Sequence, residues 1–171
     1  GSAMLSLHFP EEHHTGSTLG SEIASWLVDQ GPVLALGGES GREKDDPFSL
    51  SRGELKRLHL ACIYSHPFDL LILDEPFSAL DCREKMATAD RIGSIRAGIT
   101  IIFTHENQHL PRVDHLWEIR EGALVSLGGV PEALVGWKNK PAVLAELHKR
   151  GVYPKNLSTA DILEAACRTH D

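Results

Sequence analysis

The sequence predicts an α/β fold with a mainly parallel sheet, flanking helices and a small C-terminal helical extension. Two apolar runs, "DLLILDE" (Asp69–Glu75) and "ITIIFTH" (Ile99–His105), are typical of strands buried on both faces of a parallel sheet. Leu80–Gly98, between them, is helical in composition. The order strand, helix, strand predicts a right-handed parallel crossover.

Composition limits the classes of protein to consider. The chain has 171 residues, of which 42% are hydrophobic, enough for one ordinary core. Its formal charge of -7 arises from 24 acidic and 17 basic residues without a basic block, which argues against a nucleic-acid partner. Every apolar run is far shorter than the roughly 20 residues that span a bilayer. A membrane would therefore be reached through another protein.

Further elements follow from periodicity and from helix-breaking residues. Apolar residues three and four apart predict a short helix over Ser21–Gln30, which Gly31-Pro32 is expected to end. A second helix is predicted from Arg52 to just before Pro67. Val113–Gly129 alternates around a Glu-Gly pair and predicts a β-hairpin.

Three segments are predicted along the chain. Gly1–Ala3 precedes the first methionine and is interpreted as a tag remnant, so it is left out of the predicted fold. Residues 4–127 form the predicted main domain, and residues 128–171, where the pattern becomes polar and helical with several prolines, form the predicted extension.

The two strands end in residues that suit phosphate chemistry. Asp74 and Glu75 are consecutive, so on a strand one carboxylate could hold Mg²⁺ while the other orients a water molecule. His105 ends the next strand and could contact a terminal phosphate at the same edge of the sheet. Ser51 begins a helix, whose free N–H groups favour an anion. Together they predict a nucleoside triphosphate site, although each feature alone also has a purely structural interpretation.

The order and intervals of four motifs resemble the second half of an ABC-type ATPase domain. "LSRGE" (Leu50–Glu54) is similar to the signature motif, with Arg52 and Glu54 in place of the usual Gly and Gln. "LLILDEP" (Leu70–Pro76), "SALD" (Ser78–Asp81) and "IIFTHE" (Ile101–Glu106) resemble the Walker B motif, the D-loop and the switch-histidine strand.

The resemblance implies a role for each matching residue. Asp74 would position Mg²⁺, Glu75 would polarise the attacking water as the catalytic carboxylate, and His105 would contact the γ-phosphate. Ser78–Asp81 would communicate across a dimer, and Ser51 and Gly53 would reach the γ-phosphate of the nucleotide held by a second ATPase protomer. The implied nucleotide-binding residues are Ser51, Gly53, Glu54 and Asp81.

The phosphate-binding loop of the family, G-x-x-x-x-G-K-[ST], does not occur in this sequence. "GGESGREK" (Gly37–Lys44) comes nearest, but Arg42 and Glu43 occupy the positions of the required Lys and hydroxyl residue, and its acids would repel phosphate. The resemblance therefore implies an incomplete P-loop NTPase core that does not hydrolyse ATP effectively alone.

A second resemblance narrows the family. Leu7–Leu27 is similar to the Q-loop segment of the ATPases of energy-coupling-factor importers for vitamins and for cobalt or nickel, with His8 in place of the Gln. Pro141–Ala166 is similar to their C-terminal extension. The resemblance implies a transmembrane coupling protein as partner and a cytoplasmic location at the inner face of the cell membrane. His13-His14 is compatible with metal handling or with a solvated loop.

Two alternative functions remain at this point. The chain could be a non-enzymatic truncated paralogue that lends its signature motif in trans, or a soluble ABC ATPase outside transport. The resembled fold also has a phosphate-loop strand between the strand that ends at His105 and the strand near Asp114–Ile119. Without it, unpaired strand edges are expected. Pro32–Gly38, an apolar run, is predicted to insert there as a replacement strand, and the isolated chain is predicted to dimerise.

Overall fold

The computed structural model describes residues 1–6, 15–95 and 97–168. The chain divides into two compact units, residues 1–105 and residues 106–171. The division predicted at residues 127/128 falls inside a strand of the second unit. The division at residues 127/128 stays a prediction.

In the described residues 1–6, 15–95 and 97–105, the first unit contains a parallel sheet of three strands and five helical segments. The strands pair in the order β1-β2-β3. The elements are β1 (Ala3–Ser6), α1 (Leu19–Ser25), α2 (Gln30–Gly37), a 3-10 turn (Pro47–Ser49), α3 (Arg52–Tyr64), β2 (Phe68–Asp74), α4 (Cys82–Ser94) and β3 (Ala97–Phe103). The strand–helix–strand order β2-α4-β3 with parallel pairing confirms that the connection is a parallel crossover, and its right hand stays a prediction.

Over residues 106–168, the second unit contains an antiparallel hairpin and three short helices. The elements are β4 (His115–Arg120), β5 (Ala123–Gly129), α5 (Glu132–Gly136), α6 (Ala142–Lys149) and α7 (Thr159–Cys167). Leu134, Leu144 and Leu157 form its small core. Asn156 joins distant segments, since its side chain accepts from the Val113 N–H and donates to the Val113 carbonyl, both at 2.9 Å. The hairpin and the helical C-terminal region were both predicted.

The prediction for Pro32–Gly38 is wrong, because these residues belong to helix α2 and its C-cap rather than to a strand. The Asp29 side chain accepts the Gly31 N–H and caps the helix, and Gly38 ends it with a left-handed φ of 84°. Pro32 lies in the first turn, where a missing N–H costs no helical hydrogen bond. Gly31-Pro32 therefore begins a helix instead of ending one.

The N-terminal residues excluded as a tag remnant take part in the sheet. Ala3 begins β1 and pairs with Leu70 of β2. The Ser2 carbonyl accepts the N–H groups of Asp69 and Leu70 at 2.9 and 3.1 Å. Main-chain hydrogen bonds do not depend on the side chain, so even a Gly-Ser-Ala sequence extends the sheet.

The sheet is not buried on both faces as the sequence predicted. Leu71 and Leu73 of β2 have no exposed surface, but on β3 the alternate residues Ile99, Ile101 and Phe103 are 60%, 39% and 41% exposed. Within the described residues, β3 pairs only with β2, and β4 pairs with β5 in a separate sheet. Strand β3 therefore has the unpaired edge that the sequence predicts.

Candidate functional site

The centre of the candidate site is the carboxyl end of β2, where the chain changes direction abruptly. Asp74 is the last strand residue and pairs with Phe103 of β3. Glu75 leaves the strand with a left-handed φ of 47°, which is uncommon for a residue other than glycine. The sequence predicts both acids on one strand. In the structure Asp74 ends β2, and Glu75 lies in the turn that follows.

Three hydrogen bonds hold the Glu75 side chain. Its Oε1 accepts the backbone N–H of His105 at 2.9 Å and lies 2.6 Å from His105 Nδ1, and its Oε2 accepts the Thr104 hydroxyl at 3.0 Å. The Glu75 N–H in turn donates to the Phe103 carbonyl at 2.8 Å. A strained conformation persists only where its surroundings fix it, and here the end of β3 does so.

The sequence predicts Glu75 and His105 at the same edge of the sheet; the structure brings them into direct contact, and it adds Thr104, whose part was missed. The His105 side chain is 81% exposed and the Glu75 side chain 15% exposed. The imidazole is thus available to a ligand while the carboxylate is largely enclosed. The "TH" at the end of the strand was the available signal for Thr104, since a hydroxyl at that position reaches the neighbouring strand end.

A tight turn connects Glu75 to the D-loop. The Glu75 carbonyl accepts the N–H and the hydroxyl of Ser78 at 3.2 and 2.9 Å. Ala79 follows with a φ of 61°, a second left-handed residue. Asp81 then caps helix α4, accepting the Glu84 N–H at 2.8 Å while Glu84 accepts the Asp81 N–H at 3.0 Å. This reciprocal pair is a capping box.

The signature motif forms a second capping box, at the start of helix α3. Ser51 accepts the Glu54 N–H at 3.3 Å, and the Glu54 carboxylate accepts the Ser51 N–H at 2.7 Å. Hydrogen bonding of the Glu54 carboxylate to the side chain and to the backbone N–H of Ser51 holds the pKa of Glu54 below its ordinary value of 4.5, and the positive charges of Arg42 and Arg57 lower it further. A glutamate in place of the usual Gln thus serves the local structure.

Gly53 brings the signature motif against the D-loop. A Cβ added at Gly53 would lie 2.8 Å from the Ala79 carbonyl oxygen, closer than real contacts allow. Only glycine fits this approach. Arg52, a departure from the family signature, is exposed. The structure therefore places Ser51, Gly53 and Asp81 on two helix N-termini that touch through Ala79.

The remaining sequence predictions concern metal and phosphate. In the described ranges, no three His, Cys, Asp or Glu side chains form a cluster that could hold a metal ion. Asp74 alone fits Mg²⁺ bound mainly by water and phosphate oxygens, which needs only one or two carboxylates. Gly37–Lys44 begins at the last residue of helix α2 rather than after a strand, so it lacks the strand–loop–helix context of a phosphate loop. His8, His13 and His14 lie outside the described residues.

The chain has the fold of an ABC-type ATPase. It is similar to cbiO1 from Clostridium perfringens, part of the ABC transporter complex cbiONQ, with a TM-score of 0.59 and 20% identity over 86% of this chain and 62% of that one. No protein-family model matches the chain.

Its curated relatives are ATP-binding proteins of ABC transporters. An energy-coupling factor transporter ATP-binding protein of Thermotoga maritima is 37% identical over 137 residues, covering 72% of this chain and 52% of that protein. A glycine betaine/carnitine transport ATP-binding protein of Listeria monocytogenes is 35% identical over 59% of this chain and 26% of its own length. The chain spans about half the length of the Thermotoga protein and about a quarter of the length of the Listeria protein. Within the described residues, no helix is long and apolar enough to cross a membrane.

The contact at Gly53 gives a direct prediction. Gly53→Ala should lower the free energy of unfolding by about 1–3 kcal/mol, because the new methyl group forces the signature helix away from Ala79. The control is Gly93→Ala in α4, where an added Cβ meets nothing within 4 Å. That variant should be neutral or more stable. Urea denaturation checks both; equal effects of the two changes would refute the close approach.

The lowered pKa of Glu54 predicts a pH dependence. A lowered pKa in the folded state contributes stability above the ordinary value of 4.5, and this contribution is lost as pH falls through the lowered value. Glu54→Gln keeps the capping box but cannot titrate. Between about pH 6 and pH 3, urea denaturation should show a smaller loss of stability for Glu54→Gln than for the unmodified chain. Parallel curves for the two proteins would contradict this assignment.

Proposed function

We propose that this chain supplies the hydrolytic part of an ATP-hydrolysing subunit of an ABC importer. The observation that carries the proposal is the Glu75 carboxylate, fixed by Thr104 and His105 immediately after Asp74. A carboxylate fixed beside a metal-binding acid at the carboxyl end of parallel strands suits the orientation of a water molecule for phosphoryl transfer.

The hydrogen bonds of Glu75 leave it one acceptor position. An ionised carboxylate has about four lone-pair sites. His105 takes two of them on Oε1 and Thr104 takes one on Oε2. The remaining site on Oε2 can accept a hydrogen bond from a water molecule and orient its lone pair towards a phosphorus atom. Glu75 would thus be the catalytic carboxylate of the domain.

His105 and Asp74 would act on either side of that water. Magnesium-bound ATP supplies the γ-phosphoryl group and the cation that neutralises its oxygens. Asp74 would hold that cation. His105 donates Nδ1–H to Glu75, so its Nε2 faces outward and can donate to a phosphate oxygen when the ring is protonated. The exposure of the imidazole supports this role.

The signature and D-loop residues would serve a second protomer. Ser51, Gly53, Glu54 and Asp81 lie on or beside two helix N-termini, whose N–H groups favour the phosphates of a nucleotide held by the partner. We further propose a transmembrane coupling protein as partner and a position at the cytoplasmic face of the cell membrane.

The finer assignment is an energy-coupling-factor importer that takes up a metal ion or a vitamin. Similarity to the Thermotoga energy-coupling factor protein and to cbiO1 of the cbiONQ complex supports it.

A second candidate is a truncated paralogue that lends its signature motif to a complete ATPase. The observation that favours it is the use of Gly37–Lys44 in internal contacts, such as the Arg42 pair with Glu39 at 2.6 Å, instead of phosphate binding. Under either function, the chain alone would not hydrolyse ATP effectively. The unpaired edge of β3 supports the proposal that the isolated chain dimerises.

The test is Glu75→Gln in the chain joined to a front half that carries a phosphate-binding loop. Glutamine keeps the size of the side chain but removes the base, so the turnover number for ATP should fall about 100-fold or more. Nucleotide affinity should stay within about threefold, because Glu75 does not hold the phosphates. Steady-state phosphate release and calorimetry measure the two quantities.

Glu121→Gln is the control, since Glu121 is exposed in the hairpin turn between β4 and β5. It should leave turnover and affinity unchanged. Loss of hydrolysis and binding together in Glu75→Gln would mean that Glu75 only maintains the fold. No hydrolysis by the joined chain with Glu75 intact would favour the truncated paralogue.

A further inference from the structure

Glu39 is a buried carboxylate placed between two arginines. It lies in the loop after α2 and is 2% exposed. Its Oε2 contacts Arg42 Nη1 at 2.6 Å, and its Oε1 lies 3.6 Å from Arg57 Nη2. Oε1 is buried and has no hydrogen-bond partner, so the ion pair with Arg57 is its compensation. Removing either arginine would leave an incompletely paired buried charge.

Each of the two arginines also contacts the glutamate of a different capping box. Arg42 Nη1 lies 3.6 Å from Glu54 Oε1, and the other oxygen of Glu54 accepts the Ser51 N–H at the start of α3. Arg57 contacts Glu84 Oε1, and the other oxygen of Glu84 accepts the Asp81 N–H at the start of α4. Ion pairs therefore connect side chains of alternating charge into one line, whose members in order are Glu54, Arg42, Glu39, Arg57 and Glu84.

The loop that carries Glu39 is itself fixed. Arg57 Nε donates to the Gly37 carbonyl at 3.1 Å, and Arg42 Nε contacts Asp45 at 2.7 Å. Arg57 belongs to α3, whereas Glu39 and Arg42 come from the loop. A movement of either helix N-terminus would lengthen at least one ion pair of the line, and low exposure makes that costly at Glu39.

We propose that Glu39 is a positioning residue that couples the N-terminus of the signature helix α3 to the N-terminus of the D-loop helix α4. It acts through Arg42 and Arg57 and contacts no nucleotide. Its significance rests on the proposed function, in which Ser51 and Asp81 address a nucleotide held by a second protomer. Coupled helix N-termini would approach or leave that nucleotide together.

The experiment perturbs one helix and measures the other, in the full 171-residue chain without nucleotide. Glu84→Gln neutralises the partner of Arg57 while keeping a capping side chain on α4. Hydrogen exchange of the Glu54 amide, followed by NMR, then measures the α3 capping box. The ratio of exchange rates with and without Glu84→Gln is determined in three backgrounds: unmodified, Glu39→Gln and Glu43→Gln. Glu43 is an exposed acid of the same loop and serves as the matched control.

In the unmodified and Glu43→Gln backgrounds, Glu84→Gln should accelerate exchange of the Glu54 amide about threefold or more. In the Glu39→Gln background the acceleration should fall below about 1.5-fold, because the line is interrupted. A general loss of stability changes the individual rates but not this dependence of the ratio on Glu39. The Leu71 amide, in the buried strand β2, reports such a general loss.

An acceleration that persists in Glu39→Gln would overturn the proposal, since Arg57 or the Gly53–Ala79 contact would then carry the coupling alone. No acceleration in the unmodified chain would overturn it as well. If Glu39→Gln does not fold, Arg42→Gln takes its place, because it interrupts the same line at a side chain that is 33% exposed. The acceleration caused by Glu84→Gln should then also fall below about 1.5-fold. Because ATP is absent throughout, failure here leaves the proposed function untouched, and failure of hydrolysis leaves this coupling untouched.

Discussion

The left-handed turn at Glu75 is the constraint on which the rest of the site depends. Strand β2 ends in this conformation, and the N–H and side chain of Glu75 both bond to the end of β3. Ser78, in the next turn, donates to the Glu75 carbonyl. The same turn places the Ala79 carbonyl against Gly53. A strained residue thus determines where the carboxylate points and where the D-loop contacts the signature helix.

The charges around this turn have separate structural tasks. Glu54 and Glu84 complete the capping boxes of α3 and α4, and Glu39 lies buried between the arginines that contact them. Segment Gly37–Lys44, which has some features of a phosphate loop, uses Glu39 and Arg42 in these contacts. Its arginine is therefore compensated by acids of the same chain rather than by phosphate.

Local patterns in the sequence predicted five elements of the fold. Continuous apolar runs indicated the strands β2 and β3, composition indicated helix α4, and periodicity with a clear boundary indicated helix α3 and the hairpin. The prediction of a strand at Pro32–Gly38 failed because a short apolar run does not distinguish a strand from a helix. Asp29 before it and Gly38 at its end were the cap signals that favour a helix. The Gly53–Ala79 approach and the burial of Glu39 arise between segments distant in sequence, and no local spacing encodes them.

The most direct measurement is the position of the proton on the neutral His105 ring in the full chain, read by ¹⁵N NMR of its two ring nitrogens. With Nδ1–H held by the Glu75 carboxylate, the neutral ring should carry its proton on Nδ1, and Glu75→Gln should abolish that preference. A neutral ring protonated on Nε2, or a ring that Glu75→Gln leaves unchanged, would contradict the account, because Glu75 would then not be fixed in the position from which it orients water.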